Sequence, residues 1–296
     1  MAAARRGEEQ GTITSDSTTG QGIVAAFRAR AGGGAWNLPR ARVADDLEAV
    51  IGAPDSIDQG AFGFCGIAAF LRFWVRRDPA AFATFATAVY EQGAASFSSY
   101  KVDPNHRLRA LDYADAYAHH GTRCPPGQWM VMAAIQDSIS PAGFDGTVDR
   151  SWHAFLSLHE GAVPAQIAKL LADTRLYRSV DNRTDWASLV VPRIPFVPDP
   201  WRPALGDAKG LCPGASCDVV LQVNDLILHG ASPIPPGLLA DVRDDFPNHF
   251  IALASRPALV GDALRCRVWT WAGFQELDLP ADRFMANYYG AIVCTV

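Results

Sequence analysis

The residues best suited to chemistry are a cysteine and the groups just before it. Cys65 stands between Gly63-Phe64 and Gly66, and opens the apolar run CGIAAFLRFWVRR over 65–77, whose spacing predicts a helix. A thiol attacks carbon only as thiolate. The partial positive charge at a helix amino terminus stabilises that anion, and a neighbouring imidazolium does so further. Glycines beside the sulfur let a substrate backbone come close. An amide side chain just upstream, Gln59, and the Cys65 N–H supply two donors for an oxyanion. These groups together predict nucleophilic acyl chemistry.

The segment Gln59-Gly60-Ala61-Phe62-Gly63-Phe64-Cys65 resembles the Gln-Gly-x-x-Gly-x-Cys motif of papain-like cysteine peptidases. Gly66 departs from it, since papain-type enzymes usually carry Trp there. The resemblance implies a histidine base at the head of a buried strand in the second half. The chain has seven histidines: His106, His119, His120, His153, His159, His229 and His249. His249 fits, opening the apolar run HFIALA after Pro247-Asn248. His106 lies in a polar loop, His119 and His120 close a helix, His153 and His159 lie in a helical or turn region, and His229 follows a strand.

The resemblance also implies an Asn or Asp at the end of the next strand, before a Trp. In ALRCRVWTWAG, Thr270 takes that place ahead of Trp271. A hydroxyl accepts the imidazole hydrogen bond more weakly than a carboxylate does. Asp262 reads as a turn residue, and Gln275 lies within possible reach. Trp269 and Trp271 are expected to shield the pair or pack the core. The expected site is thus Cys65, His249, Gln59 and Thr270.

PPGQWMVMAAIQDS, DFPNHFIAL, RVWTWAG and RFMANYYGAIV resemble bacterial papain-like proteins found among toxin and effector cargo, with the YopT-type peptidases as the nearest named relatives. This implies contact-dependent delivery into another cell, a protein or peptide substrate, and room for a cognate immunity or inhibitor protein. The expected location is secreted without a cleaved signal peptide, or cytoplasmic. Transglutaminases and deamidases share the thioester chemistry, and a non-catalytic binding protein on the same fold is the third reading.

The rest of the sequence frames these groups. The chain has 296 residues, 49% of them hydrophobic, enough to bury a sizeable core. A net charge of -5 argues against a nucleic-acid partner. The run GIAAFLRFWV is broken by Arg72 and is too short to span a bilayer. No metal, nucleotide or flavin motif is present, Gly32-Gly33-Gly34 lacking the context of a phosphate loop, and no cofactor is expected. Cys212 and Cys217 are the one close cysteine pair, read as two thiols in a turn or a small disulfide loop.

Residues 1–22 read as a flexible lead-in, not a signal peptide, and 23–296 as one papain-like catalytic domain. Helices are expected first, in a subdomain over about 60–180 that includes 80–93, 107–121, 125–138 and 163–174. After Val180 strands take over, in a subdomain of about 181–296, with runs such as DVVLQV, HFIALAS and FQELDL. Helices followed by strands predict an α+β fold. The insert from Asn105 to Asp173 is expected to shape one cleft wall, with Tyr113, Trp129 and Trp152 either lining it or in the core.

Overall fold

The computed structural model describes residues 14–113, 124–141, 143–146, 161–184, 203–229 and 247–296. Nine helices are described: α1 Thr14–Arg28, α2 Arg40–Gly52, α3 Cys65–Arg77, α4 Pro79–Gln92, α5 His106–Ala110, α6 Pro126–Ile139, α7 Pro164–Asp173, α8 Leu205–Gly210 and α9 Ala281–Asn287. The strands are β1 Ala95–Phe97, β2 Tyr100–Val102, β3 Ser179–Asn182, β4 Cys217–Val223, β5 His249–Leu253, β6 Ala258–Val260, β7 Ala263–Thr270, β8 Gly273–Pro280 and β9 Tyr288–Thr295. Helices thus predominate in the first half and strands in the second, which makes the chain α+β. The lead-in expected through residue 22 ends sooner: α1 begins at Thr14, and its Val24 and Phe27 are buried. The helix expected over 107–121 is described only as the short α5; its later part, with His119 and His120, lies outside the described residues, as do Trp152, His153 and His159.

One antiparallel sheet runs in the order β3-β9-β4-β5-β7-β6, with β8 also paired to β7. Strand β4 is apolar on successive residues because both of its faces are covered. Val220 belongs to the core shared with the helices, together with Phe250, Ala252, Trp269 and Ile292. Val219, Leu221 and Val223 belong to a second core with Ile251, Val268, Phe284 and Tyr288.

Helix α3 carries Cys65 at its head. Every residue from Cys65 to Val75 is buried, the expected state of a helix apolar all round. It packs on β5 and on helices α4, α6 and α7. Asp78 ends it and caps α4, accepting from the Ala81 N–H at 2.8 Å. Gly93, at φ 75°, closes α4 in the left-handed conformation. Arg72 sits in the middle of α3, buried, its guanidinium 2.6 Å from Asp55 Oδ1 and 5.2 Å from the Trp269 ring. The Trp269 indole N–H donates to the Asp55 carbonyl at 2.8 Å. Helix α3 and β7 are therefore tied through one residue, Asp55.

Gly66 has a packing reason that the motif does not show. A Cβ there would stand 2.8 Å from Ile167 Cδ1 and 3.1 Å from Phe250 Cδ2. The glycine lets α7 and β5 close on the head of α3, and leaves no room for the Trp of papain-type enzymes. Gly66→Ala is expected to destabilise the fold by about 1–3 kcal/mol through overpacking. Ile167→Val, which lacks the Cδ1 methyl, should recover part of that loss. Chemical denaturation of the two single variants and the double variant reads the coupling.

Candidate active site

Cys65 occupies the first turn of α3, where N–H groups lack intrahelical partners. The sulfur also meets β5. Pairing between β5 and β7 covers only Ala252↔Trp269 and Leu253↔Val268. Before Ala252 the two strands part, and the Phe250 N–H turns to the sulfur, donating to Cys65 Sγ at 3.4 Å. The amides of Phe250, Gly66 and Cys65 all favour the thiolate, but burial outweighs them and pushes the thiol up to about 11.

His249 begins β5, opposite Val223 of β4. Its Nε2 lies 2.7 Å from Thr270 Oγ1. The register explains the meeting. Continued past the last pair, the β5–β7 ladder sets Thr270 opposite Ile251, which shares a strand face with His249. The tautomer that makes His249 a base has Nε2–H donating to the hydroxyl and Nδ1 bearing the lone pair. Burial pulls the imidazole down to about 4, with Asp225 opposing it. Cys65 and His249 are only 8% and 5% exposed. At neutral pH they rest as thiol and imidazole, both uncharged.

Trp271 covers the imidazole, its ring stacked at 4.7 Å and 26°. It reaches that position through the two-residue turn between β7 and β8, with Trp271 at φ 45° and Ala272 at φ 60°. Two positive φ angles make the turn that Asn-Gly normally serves. Held by non-glycine residues, it costs on the order of 1–2 kcal/mol for each. The strain holds an indole with one side against the His249 ring and, at 43% exposure, another towards solvent. Trp269, by contrast, is core.

Gln59 is buried just upstream of the sulfur. One Nε2–H donates to the Phe62 carbonyl at 2.9 Å, which fixes the loop between Gln59 and Cys65. The amide has a second N–H for an oxyanion. Of the alternative orienters, Asp262 lies at the far end of β7, where its carbonyl accepts from the Ala281 N–H. Gln275 Nε2 donates to the Leu228 carbonyl at 2.5 Å, an attachment to another segment. Thr270 is the residue brought to the imidazole.

Other expectations resolve simply. Tyr113 and Trp129 are core residues, their rings 5.1 Å apart. Cys212 and Cys217 are free thiols. A surface hollow of about 600 Å³ beside Lys209, Arg256 and Leu259 lies at the end of β7 away from Thr270, apart from the chemistry. Among the described residues, no three His, Cys, Asp or Glu side chains converge as metal ligands would, and no helix is long and apolar enough to cross a membrane.

One neighbour of the pair was missed in the sequence. Asp225, just after β4, is a charge acting on both Cys65 and His249. Asn224-Asp225 after an apolar strand reads simply as a turn, and no local signal marks it as near His249.

Thr270→Val keeps the side-chain shape and removes the acceptor, leaving a buried imidazole N–H unpaired. The cost is about 1–3 kcal/mol, or roughly tenfold to a hundredfold in the rate of Cys65 modification. Comparing that rate at neutral pH with that of the unaltered protein checks it.

Comparison of the chain with family models, curated proteins and solved structures found no match.

Proposed function

We propose that the chain is a papain-like cysteine peptidase with Cys65 as nucleophile, His249 as base and Thr270 as the residue that orients the base. The observation that carries this reading is the His249 Nε2–Thr270 Oγ1 contact at 2.7 Å, beside a strand whose Phe250 N–H holds the Cys65 sulfur. It gives the imidazole an orienting partner on one nitrogen and leaves the other for the thiol proton.

In the proposed reaction the sulfur bonds to a peptide carbonyl carbon as its proton passes to His249 Nδ1. The carbonyl π pair moves to oxygen, where the Cys65 N–H and Gln59 Nε2–H receive it. Collapse of the tetrahedral adduct breaks the C–N bond, and the imidazolium returns its proton to the leaving amine. Water then attacks the thioester by the same route and frees Cys65. Because both groups rest uncharged, proton transfer accompanies attack.

The effector assignment is a further part of the proposal and rests on the resemblance of the four segments named above. It implies a protein or peptide substrate in a target cell and a small neighbouring gene for an inhibitor. The test of the catalytic reading is an epoxide inhibitor of cysteine peptidases followed by mass mapping. An adduct on Cys65 supports the proposal, and a Cys65 that stays unlabelled while Cys212 reacts with ordinary alkylators sinks it. Cleaved fragments of a substrate distinguish hydrolysis from acyl transfer, which changes substrate mass without cutting the chain.

A further inference from the structure

We propose that Asp225 is an electrostatic positioning residue for the Cys65–His249 pair, held in place by a two-bond clamp to Asn248. This rests on the catalytic reading of Cys65 and His249.

Asp225 opens a 3-10 helix, Asp225–His229, one residue after β4, and Asn248 directly precedes His249. The Asp225 N–H donates to Asn248 Oδ1 at 2.8 Å. In return, Asn248 Nδ2 donates to Asp225 Oδ1 at 2.8 Å. The Asn248 N–H also donates to the Val223 carbonyl at 3.1 Å. These three bonds join the end of β4 to the start of β5, where Val223 and His249 are register partners. The strand end that carries the imidazole is thereby pinned, and so is a carboxylate beside it. An unpinned surface carboxylate would be screened by solvent and salt; a fixed, half-buried one acts on its neighbours.

His249 meets the uncharged Thr270 and Trp271 from the β7 end, and Asp225 of the 3-10 helix acts both on it and on Cys65 of α3. Among the described residues, Asp225 is the one charge that acts on the imidazole. Its negative charge favours imidazolium and disfavours thiolate, so it moves both titrations upward. Proton transfer from sulfur to nitrogen depends on the difference between the two, which a shared shift largely leaves alone. The clamp therefore sets where on the pH scale the pair works.

Asp225→Asn removes the charge but keeps an acceptor for Asn248 and the backbone bond. Asn248→Ala keeps the charge but breaks the clamp. Two readouts apply: the NMR titration of the His249 ring carbon-bound protons, assigned by their loss in His249→Gln, and the pH dependence of Cys65 modification by the epoxide. In Asp225→Asn the His249 midpoint should fall by about 0.5–1 pH unit, and both limbs of the modification profile should move to lower pH together. Asn248→Ala should lower the plateau rate by about tenfold, as expected for a loosened base. An unmoved His249 midpoint in Asp225→Asn overturns the proposal, as do limbs that move in opposite directions. A protein never modified at Cys65, but whose His249 midpoint still falls in Asp225→Asn, overturns the catalytic reading while upholding the action of Asp225 on the imidazole.

Discussion

Cys65→Ser should leave the fold standing and reduce turnover and epoxide labelling by at least about a thousandfold. The two side chains are close in size, and the Phe250 N–H that meets the sulfur at 3.4 Å can meet a hydroxyl instead. The loss is chemical. Burial already holds the Cys65 thiol up at about 11, and a hydroxyl is a far weaker acid, so an imidazole drawn down to about 4 has no means of taking its proton before attack. The control lies within the same molecule. Cys124, just before α6, is also buried, and its thiol is likewise pushed well above the usual range, so burial alone would leave the two thiols alike. If labelling follows the site rather than thiols in general, the adduct maps to Cys65 and disappears in Cys65→Ser, while Cys124 stays unmodified in both proteins. Labelling that persists in Cys65→Ser would mean that another thiol is the reactive one.

The parts of this site that were legible in the sequence are those that local pattern encodes. Helix α3 announced itself by its apolar run, α4 by Asp78-Pro79 at one end and Gly93 at the other, and β4, β5 and β7 by short apolar stretches. Gln59, Cys65, His249 and Thr270 followed from one motif and the order of elements. Strands β1, β2, β3 and β6 were not legible, because three or four residues carry too little periodicity to stand out. Helix α1 was hidden by a polar opening, TSDSTTGQG, that looks like linker until Val24 and Phe27 are seen in the core.

What the sequence concealed about the site depends on pairing between distant segments. The reason for Gly66 is Ile167, a residue on another helix. The Asp225–Asn248 clamp exists only because β4 and β5 lie side by side. The stacking of Trp271 on His249 requires a Trp-Ala turn with two positive φ angles, which local preference argues against. Such conflict between local preference and tertiary position is characteristic of functional sites. Here it falls on the residue that covers His249.

His249→Ala should lower Cys65 modification at neutral pH by roughly a hundredfold to ten-thousandfold, the usual worth of a positioned general base. The pH profile separates this cause from simple disruption. In the unaltered protein the base is neutral above about pH 4, so activity should persist well below the 6.5 of an ordinary histidine and fall only as the imidazolium forms. With His249 gone, that acid limb disappears. The residual rate should instead climb towards the thiol titration near 11, where thiolate forms unaided. Stability supplies a readout that needs no activity. The folded imidazole binds a proton only below about 4, whereas the unfolded one does so below about 6.5. Between those values the unfolded state holds more protons, so stability is lost as pH falls through this window. His249→Gln removes that group, and its stability should decline less steeply from pH 6.5 to 4 than that of the unaltered protein. Equal slopes would show that His249 is not buried neutral, and with that the account of an uncharged resting pair would fail.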